Sequence, residues 1–385
     1  MCLMAEETLV PNPFHFGSPA EGPNFTDRDR ELRTLTGLML NGQNAILIAP
    51  RRFGKSSLLL RAIEQVRARG GRTGKCSLMR CSTEREVANE LLKAVVEGPA
   101  GWLHGHLHEL TNKLRALRIT PDFYLDEEGK LHVRPYASGA QANWKDVIAD
   151  VVRVLDGLRD DRHPVSLVID EFQKATEINP SIGDQFKDLV DELPHVSLVL
   201  AGSKRHLMEA LVNNPGTSPL YQVGAKIYLT KISREDMIRY LKARAEDGGK
   251  SLDDDIAGAI YDAANGVPND VQLVAFFAFQ RAKRIIDQAA VDAALLDAVG
   301  DHKGEFERVY DQLASSQQLL LKVIARELKV EEVTAKPVLA ELTVNSTAAR
   351  KARDALSKLE LIVREDGAWR IYAGLFRLWL LGDYD

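Results

Sequence analysis

The chain has 385 residues, 45% of them hydrophobic and 27% charged, which supplies packed cores for two or three domains. A formal net charge of −5 excludes a protein coated in basic surface, so contact with nucleic acid needs a local patch. No apolar run approaches the roughly 18 residues of a membrane span, and Met1–Glu7 has no basic n-region, so neither a membrane segment nor a signal peptide is expected. The three cysteines fit reduced thiols in a cytoplasmic protein better than a disulfide or zinc framework.

In chain order, residues 1–24 carry Pro11, Pro13, Pro19 and Pro23 and read as an extended arm, with Phe14, His15 and Phe16 as docking groups. A helix opens at Asp27 to Leu32, with Leu32, Leu35 and Leu38 on one side. The apolar run Ala45–Ile48, the segment Ala49–Ser57 and the apolar run from Leu58 read as strand, phosphate-binding loop and helix. In such a loop Pro50, Arg51, Arg52, Phe53, Gly54, Lys55, Ser56 and Ser57 wrap a polyphosphate, with the helix N-terminus adding its positive dipole end. Lys55 reaches the β- and γ-phosphates of ATP and the Ser56 hydroxyl ligates Mg²⁺. A side chain at Gly54 would meet phosphate. Ala49 stands where the pattern has its first glycine.

A strand is predicted over Lys75–Cys81 and helices over 84–98 and 143–158. The stretch from about 100 to 142 reads as irregular, an insertion or lid. Its His104, His106 and His108 lie at a spacing that shares no helix face, so no metal site is expected. Val165–Glu171 reads as a strand buried on both faces and ending in two acids. Asp170 would hold Mg²⁺ through its water shell, and Glu171 would polarise the attacking water as general base. A helix follows over 181–192. A further buried strand, His195–Ser203, ends beside Asp170. Ser203 senses the γ-phosphate or orients the water, caps the next helix, Lys204–Val212, or does both. Lys226–Leu229 is the last strand.

From 233 the pattern is helical to about 299, with capping boxes at Ser233–Asp236 and Ser251–Asp254 and Pro268 at a helix start. This reads as a helical lid. Helices over 315–327, 332–342 and 345–359, then strands Leu361–Arg364 and Ala368–Tyr372 around a turn, describe a winged helix. Its third helix places Ala348, Ala349, Ala352, Ala355, Leu356 and Leu359 on one face and Arg350, Lys351, Arg353 and Lys358 on the other. Such a helix could enter a major groove of double-stranded DNA. The balance of 12 basic and 12 acidic residues from 306 onward weighs equally for a protein partner.

These motifs resemble the AAA+-related P-loop ATPases first described mainly from archaea, within the STAND group and related to origin-recognition initiators. The resemblance covers nearly the whole chain. It rests on Asn12-Pro13-Phe14, Phe25-Thr26-Asp27-Arg28 with Glu31-Leu32, Pro50-Arg51-Arg52 before Gly54-Lys55-Ser56, and Ile169-Asp170-Glu171-Phe172-Gln173. Ala201-Gly202-Ser203, Ser218–Tyr221, Gly266 with Pro268, and Leu375–Trp379 also match. It implies an α/β fold: a P-loop NTPase core (a parallel sheet sandwiched by helices), an α-helical lid and a C-terminal winged-helix domain. The expected boundaries are an arm at 1–24, the core at 25–230, the lid at 231–300 and the winged helix at 301–385. It also implies that the 25–32 motif, with Arg28, lies near the adenine and that Pro268 contacts the nucleotide. Gln222-Val223 replace the Gly-Arg common in the family, and Asn269-Asp270 stand where initiators place an arginine. Arg51, Arg52 and Arg205 remain to complete a site, and slow turnover is expected. The expected function is an ATP-hydrolysing switch in which ATP closes the lid on the core and repositions the winged helix. It acts on DNA or, alternatively, signals through a protein partner or self-association.

Overall fold

The computed structural model describes residues 11–98, 119–125, 131–137, 143–160 and 162–382. The chain divides into two compact units: one of Arg28–Arg51 and Lys55–Thr230, the other of the described residues up to Asp27, Arg52–Gly54 and everything from Lys231 onward.

The first unit begins with α1 (Asp29–Leu40), β1 (Ala45–Ile48), α2 (Lys55–Ala68), β2 (Arg72–Ser77) and α3 (Glu84–Glu97). A hairpin of β3 (Ile119–Leu125) and β4 (Leu131–Ala137) follows, then α4 (Trp144–Arg153), β5 (Val165–Asp170), α5 (Gln173–Ile178), α6 (Ser181–Glu192), β6 (Val196–Gly202), α7 (Arg205–Val212) and β7 (Ala225–Tyr228). Five parallel strands form a sheet in the order β2-β5-β6-β1-β7. The apolar runs predicted this, since β1, β5 and β6 are buried along their whole length, as parallel strands covered on both faces must be. One face, with Ile46, Ile48, Leu167, Ile169, Leu198 and Leu200, packs in a core with α3, α4 and α6. α1 lies against β1, β5 and β6. Because β6 sits between β1 and β5, the residue that follows it falls between the loop after β1 and the acids ending β5.

Three expectations in this unit change. The strand placed at Lys75–Cys81 lies at Arg72–Ser77, paired with β5 from Arg72↔Val165 to Ser77↔Asp170. The Thr73 and Ser166 hydroxyls bond each other in the interior at 2.9 Å, a polar pair that counting apolar residues overlooks. The stretch read as irregular contains an antiparallel hairpin in register Ile119↔Ala137, while His104, His106 and His108 lie outside the described residues. The short helix α5 was not anticipated. Cys76 and Cys81 are free and buried. Burial, with Glu90 nearby, pushes both thiols up, Cys81 to about 11, as inert structural cysteines.

The second unit contains α8 (Arg234–Asp247), β8 (Ser251–Leu252), α9 (Asp254–Ala263), α10 (Pro268–Arg281), β9 (Ile285–Ile286) and α11 (Gln288–Asp311). After them come α12 (Ser315–Glu327), α13 (Lys336–Leu342), α14 (Ser346–Lys358), the antiparallel hairpin β10 (Ile362–Glu365) and β11 (Ala368–Ile371), and α15 (Gly374–Leu381). Ser233 caps α8 as expected, accepting from Asp236 N–H. The box expected at Ser251–Asp254 is absent: Ser251–Leu252 pairs with Ile285–Ile286, and Asp253 precedes α9 without a side-chain cap. The helix placed at 332–342 starts at Lys336, because Pro337 fits only a first turn. Val330 bridges Trp369 and adds a third rung beside the wing hairpin. α11 runs through residue 300, and its Phe306 packs on Phe376 and Trp379. One hydrophobic core therefore spans Ile232 to Phe376. The arm docks in that core. Phe14 is buried with its ring edge-on to Phe279, Phe16 meets Phe276, and the His15 and Gly17 amides donate to Gln272 and Asn269.

Candidate nucleotide site

In the first unit, α2 begins at Lys55 with no acid in its own first turn, so no side chain of that turn offsets the positive end of the helix dipole. Gly54, at φ +83°, is required by backbone conformation alone, a reason beyond the phosphate clearance expected from sequence. Lys55, Asp170 and Glu171 are each buried. The Lys55 ammonium lies 2.5 Å from Asp170 Oδ1 and also bonds Glu171 Oε1. Glu171 N–H donates to Asp170 Oδ1 at 2.9 Å. The other Glu171 oxygen, Oε2, accepts from Ser203 Oγ at 2.8 Å and from Gln173 Nε2 at 2.5 Å. Burial pushes the Glu171 carboxyl up, but the Lys55 charge and the bonds from Lys55, Ser203 and Gln173 outweigh it and hold the group below its ordinary value. It is thus ionised at neutral pH. Glu171 sits at φ +57°, a left-handed backbone that costs a non-glycine residue on the order of 1–3 kcal/mol and clusters at working sites.

Of the readings of Ser203, the helix cap is not seen. Its hydroxyl goes to Glu171, and Lys204 precedes α7 with no side-chain cap. Ser56, in the first turn of α2, and Asp170, buried at the end of β5, supply the hydroxyl and carboxylate that an octahedral Mg²⁺ with several waters accepts, so the residues fit that ion. Arg28 is buried, donates to the Thr230 carbonyl at 2.6 Å and meets Glu31 at 3.4 Å, so it ties α1 to the chain after β7. Arg51 is exposed and Ser57 buried.

Pro50 also lies in the first unit, whereas Arg52, Phe53 and Pro268 belong to the second. Pro268 is in the first turn of α10. Arg52, at φ +69°, reaches Asp270 at 3.4 Å and Glu305 at 2.8 Å, and its carbonyl accepts from Asn269 N–H. Phe53 stacks on Tyr372 with centroids 5.6 Å apart. Asp270 is fully buried, and burial pushes its carboxyl up against the pull of Arg52. The sequence reading noted Asp270 only as an absent arginine; it is the partner of one. Gln173, which belongs to the Ile169–Gln173 motif but carries no role expected from sequence, is the other contact that the structure adds.

Residues 304–382 match the family model described as a probable winged helix domain. Among solved structures, the chain is similar to the Walker-type ATPase PABY2304 of Pyrococcus abyssi, at 17% identity and TM-score 0.67, covering 96% of this chain and 99% of that one. It is also similar to the Aeropyrum pernix ORC2 protein in its ADPNP-ADP complexes, at 14% identity and TM-score 0.54 over 93% of each chain. The ADP form of that protein gives 13% and 0.50 over 97% of each. No curated protein sequence matches. The chain has the fold of a P-loop ATPase with a C-terminal winged helix. The expected resemblance to origin-recognition-type AAA+ ATPases therefore stands at the level of fold.

In this winged helix, α14 buries Ala349, Ala352 and Leu356 and exposes Arg350, Lys351 and Lys358. These three cations form no ion pair among the described residues. Arg353 differs: it bonds Asp354 at 2.6 Å and lies 5.5 Å from the Trp369 ring centre. Leu359, expected on the packed face, is 56% exposed because α14 ends one residue before it. No helix among the described residues is long and apolar enough to cross a membrane.

Proposed function

We propose that this protein binds ATP with Mg²⁺ and hydrolyses it slowly, and that the nucleotide state sets the disposition of the winged helix. The Lys55 contact with both Asp170 and Glu171 carries the reading. One ammonium here satisfies two buried carboxylates that pair with no other cation among the described residues. With a magnesium polyphosphate, Lys55 would bind phosphate oxygens, Asp170 and Ser56 would hold the hydrated Mg²⁺, and Glu171 would be left for water. Held by Ser56 and Asp170, Mg²⁺ would supply positive charge that offsets the phosphates. Ser203 orients Glu171. By resemblance, Arg28 and Pro268 serve the base and the lid side of the nucleotide. Slow turnover follows because two candidate fingers are engaged, Arg52 with Asp270 and Glu305, and Arg205 with Glu209. Magnesium-dependent phosphate release from ATP tests the hydrolytic part.

The winged helix is read as a duplex-DNA contact through Arg350, Lys351 and Lys358, with Arg353 as a brace on Trp369 rather than a phosphate ligand. Three phosphate contacts predict a log–log salt slope of roughly −3 for duplex binding. Replacing Arg350 and Lys351 together with Ala lowers the slope by about two. Fluorescence anisotropy against salt measures both. Salt-independent or absent binding contradicts the DNA reading. It would favour a protein partner, for which the engaged Arg353 and the nearby Glu332 speak. The Glu332 carboxyl is lowered first by Thr334 and then by Arg350 and Arg353.

A further inference from the structure

We propose that Gln173 positions the catalytic base, fixing one oxygen of Glu171 so that the other faces the water; this rests on the ATPase reading above. Gln173 opens α5, directly after the turn that carries Glu171, and is 1% exposed. Its Nε2 donates to Glu171 Oε2 at 2.5 Å, beside the Ser203 hydroxyl at 2.8 Å. Its own carbonyl Oε1 is buried with no partner among the described residues. That oxygen has room only because residue 202 is glycine: a Cβ there would lie 2.4 Å from it. A buried amide with an unmatched carbonyl is unfavourable. If the position served packing alone, an apolar side chain would serve better. What the amide provides is a donor to Glu171.

The donors divide between the two carboxylate oxygens. Lys55 occupies Oε1, while Gln173 and Ser203 occupy Oε2. When phosphates draw Lys55 away, only Oε1 is released. A single hydroxyl would leave the carboxylate free to turn about its last torsion, which is broad for Glu; a second donor from another element fixes its plane. Oε1 then accepts the water proton as the water oxygen bonds the γ-phosphorus and the bond to the β–γ bridging oxygen breaks. The proton afterwards passes to solvent. The charged groups around the carboxylate are Lys55 from α2 and Asp170 from β5.

The test uses the full chain with Mg²⁺ and ATP across a pH series. Gln173→Met keeps the bulk and removes the donor. Its kcat falls about tenfold, the scale of one hydrogen bond to a charged group, with ATP affinity unchanged. Gln173→Glu keeps the shape and sets a second carboxyl against the first. The pair shares one proton, so the donor exists only below the pair's upper titration. Its kcat therefore falls as pH rises through that titration, a limb the wild type lacks. A space-filling role moves neither the kcat-against-KM split nor the pH profile. A Gln173→Met kcat equal to wild type, or a loss confined to KM, overturns the proposal while the ATPase reading stands. A wild type without Glu171-dependent turnover overturns both.

Discussion

Lys55→Ala lowers ATP affinity by at least about two orders of magnitude. Two charge-assisted contacts to the β- and γ-phosphates, at about 1.5–3 kcal/mol each, set that scale. The structure adds a second consequence. Lys55 bonds both Asp170 and Glu171 in the interior, so its removal leaves two buried carboxylates with no cation among the described residues. Breaking such a cluster costs about 3–5 kcal/mol. The pH dependence also changes sign. In the wild type the folded Glu171 carboxyl is held low, so its stabilisation is complete above the ordinary carboxylate range and is lost as pH falls through the lowered value. Without Lys55, burial dominates, the carboxyl moves up, and stability instead rises on acidification. Melting temperature against pH, with and without ATP, checks this. Adding Glu171→Gln to Lys55→Ala restores part of the stability, since Asp170 stays unpaired, and none of the affinity. Recovery of affinity in the double variant would contradict the role given to Lys55.

Glu171→Gln leaves ATP bound and lowers turnover about 10²–10⁴-fold, the usual contribution of a general base. The substituted amide can keep its oxygen on the Ser203 and Gln173 donors. Its NH₂ then faces the Lys55 ammonium, which is left with Asp170 alone. Lys55 is thus held less firmly, and ATP affinity is equal or tighter. Calorimetry with Mg-ATP and a phosphate-release assay on the same sample separate the two effects. Weaker binding with a proportionate loss of rate would make Glu171 a ligand-site residue rather than the base.

The elements that position this site were legible in the sequence because each depends on local chemistry. Ala45–Ile48 and Val165–Asp170 are continuous apolar runs, and Gly54-Lys55-Ser56 opens a helix. The boundaries of α6 and α12 were read as they stand, at Ser181–Glu192 and Ser315–Glu327. The losses came where long-range pairing decides. The edge strand β2 begins at polar residues whose hydroxyl contact lies on another strand. Ser251–Leu252 looked like a helix cap because its β partner is more than thirty residues away, at Ile285–Ile286. Within the site, Asp170, Glu171 and Ser203 could be assigned from the ends of strands. The Gln173 and Asp270 contacts could not, since each depends on which carboxylate or guanidinium the fold delivers to it.

The most direct measurement is steady-state phosphate release from ATP by the purified full chain with Mg²⁺, with Glu171→Gln as the blank. The account predicts slow, magnesium-dependent turnover at least about a hundredfold above that blank. Turnover equal in the two proteins, or none in either, would contradict it.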